Sequence, residues 1–333
     1  MKIVTHLALV ATMLSLHSQV HARPQTESTN TPTTPPADSV ESAVSAKSDI
    51  DFVVAGGYAN FFSTDFDSGE GDVGVARGFL SASASGMSGD DLSWSLDYQA
   101  ESSSYSFGPS GTLVSAAGGT PWGDVTSQLL VPGVTFVLDP RWRLTTRLLL
   151  QFAQESGASF GDSITYGGIV AASYSFSETL TLGLGALAMT RLEDDLLVVP
   201  QFIIDWQPSS DFRVSNFAGP EAFPGGAGLE GIWNLGSIDD HAFELALGGR
   251  YSYRRFLLDE SGSSARANGI ATDEGLPIWI RATVRGKCGG RLDLVAGMQI
   301  MGQMELDDAA GNELASVDVE PAPFVGIFMA FRF

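Results

Sequence analysis

Histidine and cysteine are nearly missing from this chain, with four of the first and one of the second in 333 residues. Because Cys288 is alone, no intrachain disulfide and no cysteine-based zinc site can form. His6, His17 and His21 all fall in the first 22 residues, which leaves His241 beside Asp239 and Asp240. A hydrolytic triad or a multi-histidine metal centre needs more histidine than that, so the expectation is a protein that is not an enzyme and carries no cofactor. Charge is scarce and one-sided: charged residues are 17% of the chain, with 39 Asp and Glu against 18 Lys and Arg and a formal charge of −21. Such an acidic surface excludes nucleic acid as a natural partner. Long apolar runs are missing as well. The stretch from Leu7 to Leu16 is far short of the roughly 20 residues a spanning helix needs, and no later run reaches that length. An ordinary helical membrane protein is thereby excluded; a protein that crosses a membrane with strands is not.

The first residues read as a targeting segment. Lys2 precedes the short apolar run, and Val20-His21-Ala22 offers a small-residue cleavage site, so residues 1–22 are expected to be a secretory signal peptide. No cysteine follows the run, as a lipoprotein would require. Loss of Lys2 takes the formal charge to −21 − 1 = −22. Residues 23–49 are rich in Pro, Ser, Thr and Glu with almost no large apolar side chain, and are expected to be a disordered periplasmic tether. Residues 50–333 form the remaining single domain.

What that domain has in abundance is strand and turn chemistry: 38 Gly, 20 Phe, 7 Tyr and 6 Trp in the whole chain, with many Ser and Thr. From Asp51 onward apolar residues recur with period two. Trp142, Leu144, Leu148, Leu150 and Phe152 share one face, opposite Arg141, Arg143, Thr145, Arg147 and Gln151. Phe243, Leu245, Leu247, Tyr251 and Tyr253 oppose Glu244, Arg250 and Arg254, while Ile278, Ile280, Ala282 and Val284 oppose Arg281, Thr283 and Arg285.

Strands are predicted near 51–62, 73–85, 92–104, 124–138, 141–153, 164–176, 179–191, 197–206, 211–217, 228–235, 242–256, 277–285, 291–303 and 323–333. The links between them alternate short and long, as the turns and outer loops of bacterial barrels do. The expected fold is therefore all-β: a transmembrane antiparallel β-barrel of about 14 strands, 12 being possible. Pro132 and Pro200 fall inside predicted strands and are expected to need a bulge or bend there.

If the apolar faces meet lipid, most of the positive charge points inward. Lining positions are then Arg141, Arg143, Arg147, Arg250, Arg254, Arg281 and Arg285, with Asp97, Glu101, Asp205 and Glu244 on the same parity. An Arg at mid-membrane on the lipid face would cost about 2–4 kcal/mol, which favours the inward assignment. Two readings of such an interior stand open: an Arg–carboxylate network that braces the strands, or a wet pore that attracts anionic solutes. The predicted outer loops are acidic instead. Asp65, Asp67 and Asp72 in DFDSGEGD are spaced somewhat like calcium ligands, but the segment lacks the Gly and terminal Glu of an EF-hand loop.

The chain closes on VGIFMAFRF, in which Val325, Ile327, Met329, Phe331 and Phe333 alternate up to a terminal aromatic residue. This resembles the signature by which outer-membrane barrels are recognised for assembly, Phe331 and Phe333 forming the assembly signal. The chain from about residue 50 resembles uncharacterised porin-like β-barrel families of Gram-negative bacteria, of the domain-of-unknown-function type. The resemblance implies an outer-membrane location, with outer-membrane lipid and the barrel-assembly machinery as partners, and assigns no functional residue. The function expected is a porin-like channel for small solutes with an Arg-lined lumen. The alternatives are a non-conducting structural or surface-interaction barrel and, disfavoured by the missing histidines, an outer-membrane hydrolase.

Overall fold

The computed structural model describes residues 50–67, 71–193, 195–216, 228–238, 241–261 and 263–333. The expected leader (1–22) and tether (23–49) lie outside the described residues. The strands are β1 (Asp51–Asp65), β2 (Asp72–Met87), β3 (Leu92–Phe107), β4 (Asp124–Val137), β5 (Trp142–Glu155), β6 (Ile164–Ser177), β7 (Leu180–Thr190) and β8 (Leu196–Ser209). They continue with β9 (Phe212–Ser215), β10 (Gly228–Ile238), β11 (His241–Arg250), β12 (Ser252–Leu257), β13 (Ile270–Arg285), β14 (Gly290–Asp307), β15 (Glu313–Val319) and β16 (Ala322–Arg332). One short helix, α1 (Thr112–Ala117), sits in the link between β3 and β4.

Sixteen segments make fourteen staves. β11 and β12 pair with β13 in one unbroken register, Gly249 opposite Ile278 and Ser252 opposite Gly275, so they form a single stave. β15 and β16 likewise share β14 as a partner, one above the other. Consecutive staves are antiparallel neighbours, and β16 pairs with β1 to close the ring. That seam is packed from inside: Phe328 lies over Gly57, where an added Cβ would stand 2.2 Å from the ring, and Phe61 stacks on Phe324 with centroids 4.7 Å apart. Glycine at residue 57 is thus a condition of the closure.

Alternation sets the two faces. Outward positions carry Phe52, Tyr58, Leu80, Leu148, Val170, Leu184, Leu247, Ile280, Leu294 and Ile327, all exposed. Over the middle of the staves no outward position among the described residues is charged; outward-parity Asp72 and Asp124 stand at strand ends, away from the tight turns. Phe52, Phe136, Trp142, Phe176, Trp206, Trp233 and Phe331 gather near the end with the tight turns. On β5 the ten residue steps from Trp142 to Phe152, at about 3.3 Å each and a tilt of about 40°, rise roughly 25 Å, the height of an apolar band around a membrane barrel.

Several local expectations change. The register runs straight through Pro132 and Pro200 without a bulge, so parity is kept: residues before and after Pro132 pair with β5 in one frame, and Pro200 sits opposite Ala186. Most of the span 304–322, expected to be loop, is strand. Opposite Gly275 of β13, β14 carries a bulge at Met301 and Gly302, and Met301 takes a positive φ of 52°. Beyond Met301, β14 leaves β16 and pairs with β15 as an extended hairpin. The span 257–276 is likewise shorter than a loop, because β13 begins at Ile270.

We expect Leu148→Arg, at a fully outward position, to destabilise the barrel by about 2–4 kcal/mol when urea unfolding is followed in lipid vesicles. Leu148→Ala should cost far less, and equal costs would show that this face does not meet hydrocarbon.

Candidate functional site

Fourteen strands spaced about 4.8 Å apart and tilted about 40° enclose a cylinder of backbone radius about 14 Å. Packed sheets stand about 10 Å apart, so wall side chains reach only about 5 Å inward, and a circular barrel of this size has room for more than its own wall. The sequence fills part of that room with its own chain. In β12 and β13 the buried residues stop alternating: Phe256, Leu257 and Leu258, then Ile270, Ala271, Thr272 and Asp273, are buried in consecutive runs. A strand in the wall would show lipid or solvent every second residue, so this upper hairpin lies inside the barrel. Leu257 pairs in parallel with Gln154 of β5, on another part of the wall.

The tip of the hairpin is clipped to the rim by one guanidinium. Arg266 donates through Nε to the Pro121 carbonyl (2.5 Å), through Nη1 to Asp259 (2.6 Å) and the Ser261 carbonyl (2.6 Å), and through Nη2 to Glu155 (2.5 Å). Glu155 in turn accepts from the backbone N–H groups of Gly123 and Asp259. Beneath the clip Trp122 is fully buried, edge-on to Phe107 and Phe256 at 4.9 and 5.8 Å, and Leu113 and Ala117 of α1 join the same apolar cluster.

Polar contacts then cross the lumen. Arg77 on β2 reaches Asp273 on β13 (2.5 Å), and Glu101 on β3 takes Arg77 (3.0 Å) and Arg254 of β12 (2.6 Å). The Tyr105 hydroxyl donates to the same Asp273 oxygen at 2.7 Å. These strands are not neighbours in the wall, so the bonds tie the inserted hairpin to the β2–β3 side. A second network runs along the wall: Glu230 on β10 accepts from Trp279 Nε1 (2.8 Å) and from Arg281 through both Nε and Nη2, while Asp293 accepts from Arg281, Thr283 and Arg291. Glu244 pairs with Arg285 at 2.8 Å, Asp97 with Arg147 at 3.3 Å, and Asp205 with Arg213 through two bonds.

Arg143, Arg147, Arg250, Arg254, Arg281, Arg285, Asp97, Glu101, Asp205 and Glu244 all take inward positions, mostly as members of these networks. Arg141 does not. It lies exposed in the turn before β5, and its Nη1 donates to the hydroxyl of Tyr174, whose ring packs on Trp142 of the outer face. Parity carried into a turn misplaces it. Tyr253, expected to face lipid, packs instead with Leu197 against the inner apolar cluster of Val131, Leu187 and Val199, because β12 has left the wall. No group of three or more possible metal ligands occurs among the described residues. Asp72 accepts from Ser63 (2.6 Å), and Asp65 pairs with it across the β1–β2 end.

Sequence reasoning missed Arg266, Glu155 and Asp273 as partners. The signal lay in FLL and GIA, apolar on both parities around the span taken as loop. Toward the tight-turn end several inward side chains, Ser81, Ser83, Ser85, Ser95, Thr135, Ser173 and Thr181, are small, polar and half-buried, and stand among Arg143 and the paired Glu244 and Arg285.

No protein-family profile and no curated protein sequence matches this chain. Among solved structures it is similar to an outer membrane channel from Pseudomonas putida F1, at 12% identity and a TM-score of 0.43 over 86% of this chain and 96% of that one. It is also similar to the Pseudomonas putida toluene transporter TodX, at 7% identity and 0.43 over 85% and 89%, and to the NanC porin, at 12% and 0.33 over 84% and 98%. At identities and TM-scores this low, what those proteins carry says nothing about this chain.

Arg281→Met should destabilise the barrel by about 3–5 kcal/mol in denaturant titrations, since it leaves Glu230 and Asp293 buried without their shared cation. Glu230→Gln added to it should recover part of the loss. A single substitution that costs nothing would remove this network from the account of stability.

Proposed function

We propose that the chain is an outer-membrane, porin-like barrel that passes small solutes only when its inserted hairpin yields. The observation that carries this reading is the juxtaposition of half-buried, polar inward side chains toward the tight turns, which we take as a vestibule, with a filled upper lumen held by ionic contacts across it. The apolar middle of the exterior, with aromatics near its rim, supports the membrane placement. In that orientation the tight turns and both barrel ends, Asp51 and Phe333, face the periplasm, and the hairpin closes the outer side. Phe331 and Phe333 are exposed on the final strand, where an assembly machinery would meet them.

The plug is built from elements that can separate. Its apolar cluster holds it in place, but its tip depends on Arg266 and its middle on Arg77 and Glu101. Inside the vestibule most arginines are spent on carboxylates, so ion preference rests on Arg143, which stands between Val137 and Ser173. The reading assigns passage to this chain, not catalysis. It carries forward the sequence expectation of small solutes and, of the two readings of the charged interior, takes the bracing network as the resting state: the arginines brace and plug before they attract.

In planar bilayers the refolded wild type should be silent or open only in brief steps. Arg266→Met, and more strongly replacement of residues 259–268 by a short Gly linker, should give sustained conductance steps. If the linker variant folds, as judged by heat-modifiable migration on a gel, and is still silent, the barrel is a scaffold and the passage reading fails. In the opened variant Arg143→Glu should move the preference from anions toward cations; unchanged selectivity would take Arg143 out of the path.

A further inference from the structure

Above the apolar band, beyond Met301, the β14–β15 hairpin meets the plug and the β7–β8 link in a cluster of unequal charge. Arg255 of β12 bridges three groups: Glu193 of the link (2.6 Å), Asp307 of β14 (2.6 Å) and the Thr272 hydroxyl of β13 (2.6 Å). Arg191 pairs with Glu193 at 3.0 Å. Glu305 lies on β14 two residues before Asp307 and within hydrogen-bonding reach of its carboxyl, and Glu313 of β15 stands opposite Asp307. Around this point the facing groups are therefore Arg191, Glu193, Tyr253, Arg255, Thr272, Glu305, Asp307 and Glu313: two cations against four carboxylates.

The geometry is peculiar at one atom. Asp307 is 2% exposed, its Oδ2 takes Arg255, and its Oδ1 is buried with no hydrogen-bond donor. Two ionised carboxylates accept and cannot donate, so a carboxyl pair at this distance needs a proton between them or is driven apart. Burial, the contact with Asp307 and the charge of Glu313 together push the Glu305 carboxyl up to about 7, against the pull of Arg255.

We propose that Glu305 and Asp307 share one proton while the β14–β15 hairpin is docked, and that loss of this proton to water loosens the hairpin from the Arg255–Glu193 bridge that helps hold the plug. The sign follows from the direction of the shift. A carboxyl held above its usual value of 4.5 binds its proton more tightly in the folded state, so its contribution to docking is present at low pH and is lost as pH rises through about 7. The shared proton stands on the cluster alone; only its consequence for passage rests on the function proposed above.

Infrared titration of the full-length protein refolded in lipid vesicles reads the proton directly. The wild type should show a protonated-carboxyl stretch at pH 6 that falls about tenfold by pH 8, and Glu305→Gln, which keeps the shape of the protonated acid, should lack that component at every pH. A spin label at Ala310→Cys in a Cys288→Ser background should gain mobility over the same interval in the wild type and stay immobile in Glu305→Gln. No titrating component between pH 6 and 8, or one that persists unchanged in Glu305→Gln, overturns the proposal. A titrating component in a barrel that is silent at every pH would support the shared proton and reject the passage reading.

Discussion

A backbone N–H or C=O that faces hydrocarbon without a partner costs several kcal/mol, so a sheet that crosses a membrane must close on itself. The β1–β16 ladder meets that demand, from Val53 opposite Arg332 to Phe61 opposite Phe324, and the rest of the molecule follows from how many staves it takes to get there. Fourteen staves give a ring wider than its wall side chains fill. The filler must then satisfy its own backbone too, and here it is an extension of the wall: β12, the top of β13, the top of β14 and β15 stay in one hydrogen-bonded ladder after they leave the cylinder. A plug made from continuing strands inherits its pairing from them and needs no separate fold.

That origin explains which parts were legible in the sequence. Stave positions and count could be read because lipid on one side and a crowded interior on the other impose a strict period of two; the β5 and β16 patterns are examples. The inserted hairpin breaks the assumption behind that reading. Once a strand is surrounded by protein on both faces, alternation no longer separates two solvents, and Tyr253 and Tyr251 look like lipid-facing residues when one packs inside and the other donates to Glu274. The same change made 257–276 look like an outer loop, although Phe256, Leu258 and Ile270 carry the apolar signature of a buried strand. Inward charge was visible from parity, whereas partnership across the lumen was not: Arg77 and Asp273 are 196 residues apart, and nothing local marks them as a pair. Turns carry no parity at all, which is why Arg141 was misplaced.

The cost of so much buried charge points to what it contributes. Replacing a buried ion pair by apolar residues of the same shape is often neutral or stabilising, so Arg281 with Glu230, or Arg147 with Asp97, is a poor way to gain stability alone. The lipid face supplies the other half of the comparison. A one-residue slip of β13 would turn Arg281 from its carboxylates into hydrocarbon, at about 2–4 kcal/mol near the midplane, while an all-apolar strand would slip almost without penalty. Charged residues confined to one parity thus make the correct register the only affordable one for each stave that carries them. β2, β3, β5, β10, β11, β13 and β14 each carry at least one such residue, and β1 and β16 are fixed instead by the fit of Phe328 over Gly57. The networks that brace the lumen are, on this argument, first of all the devices by which the strands find their places in it.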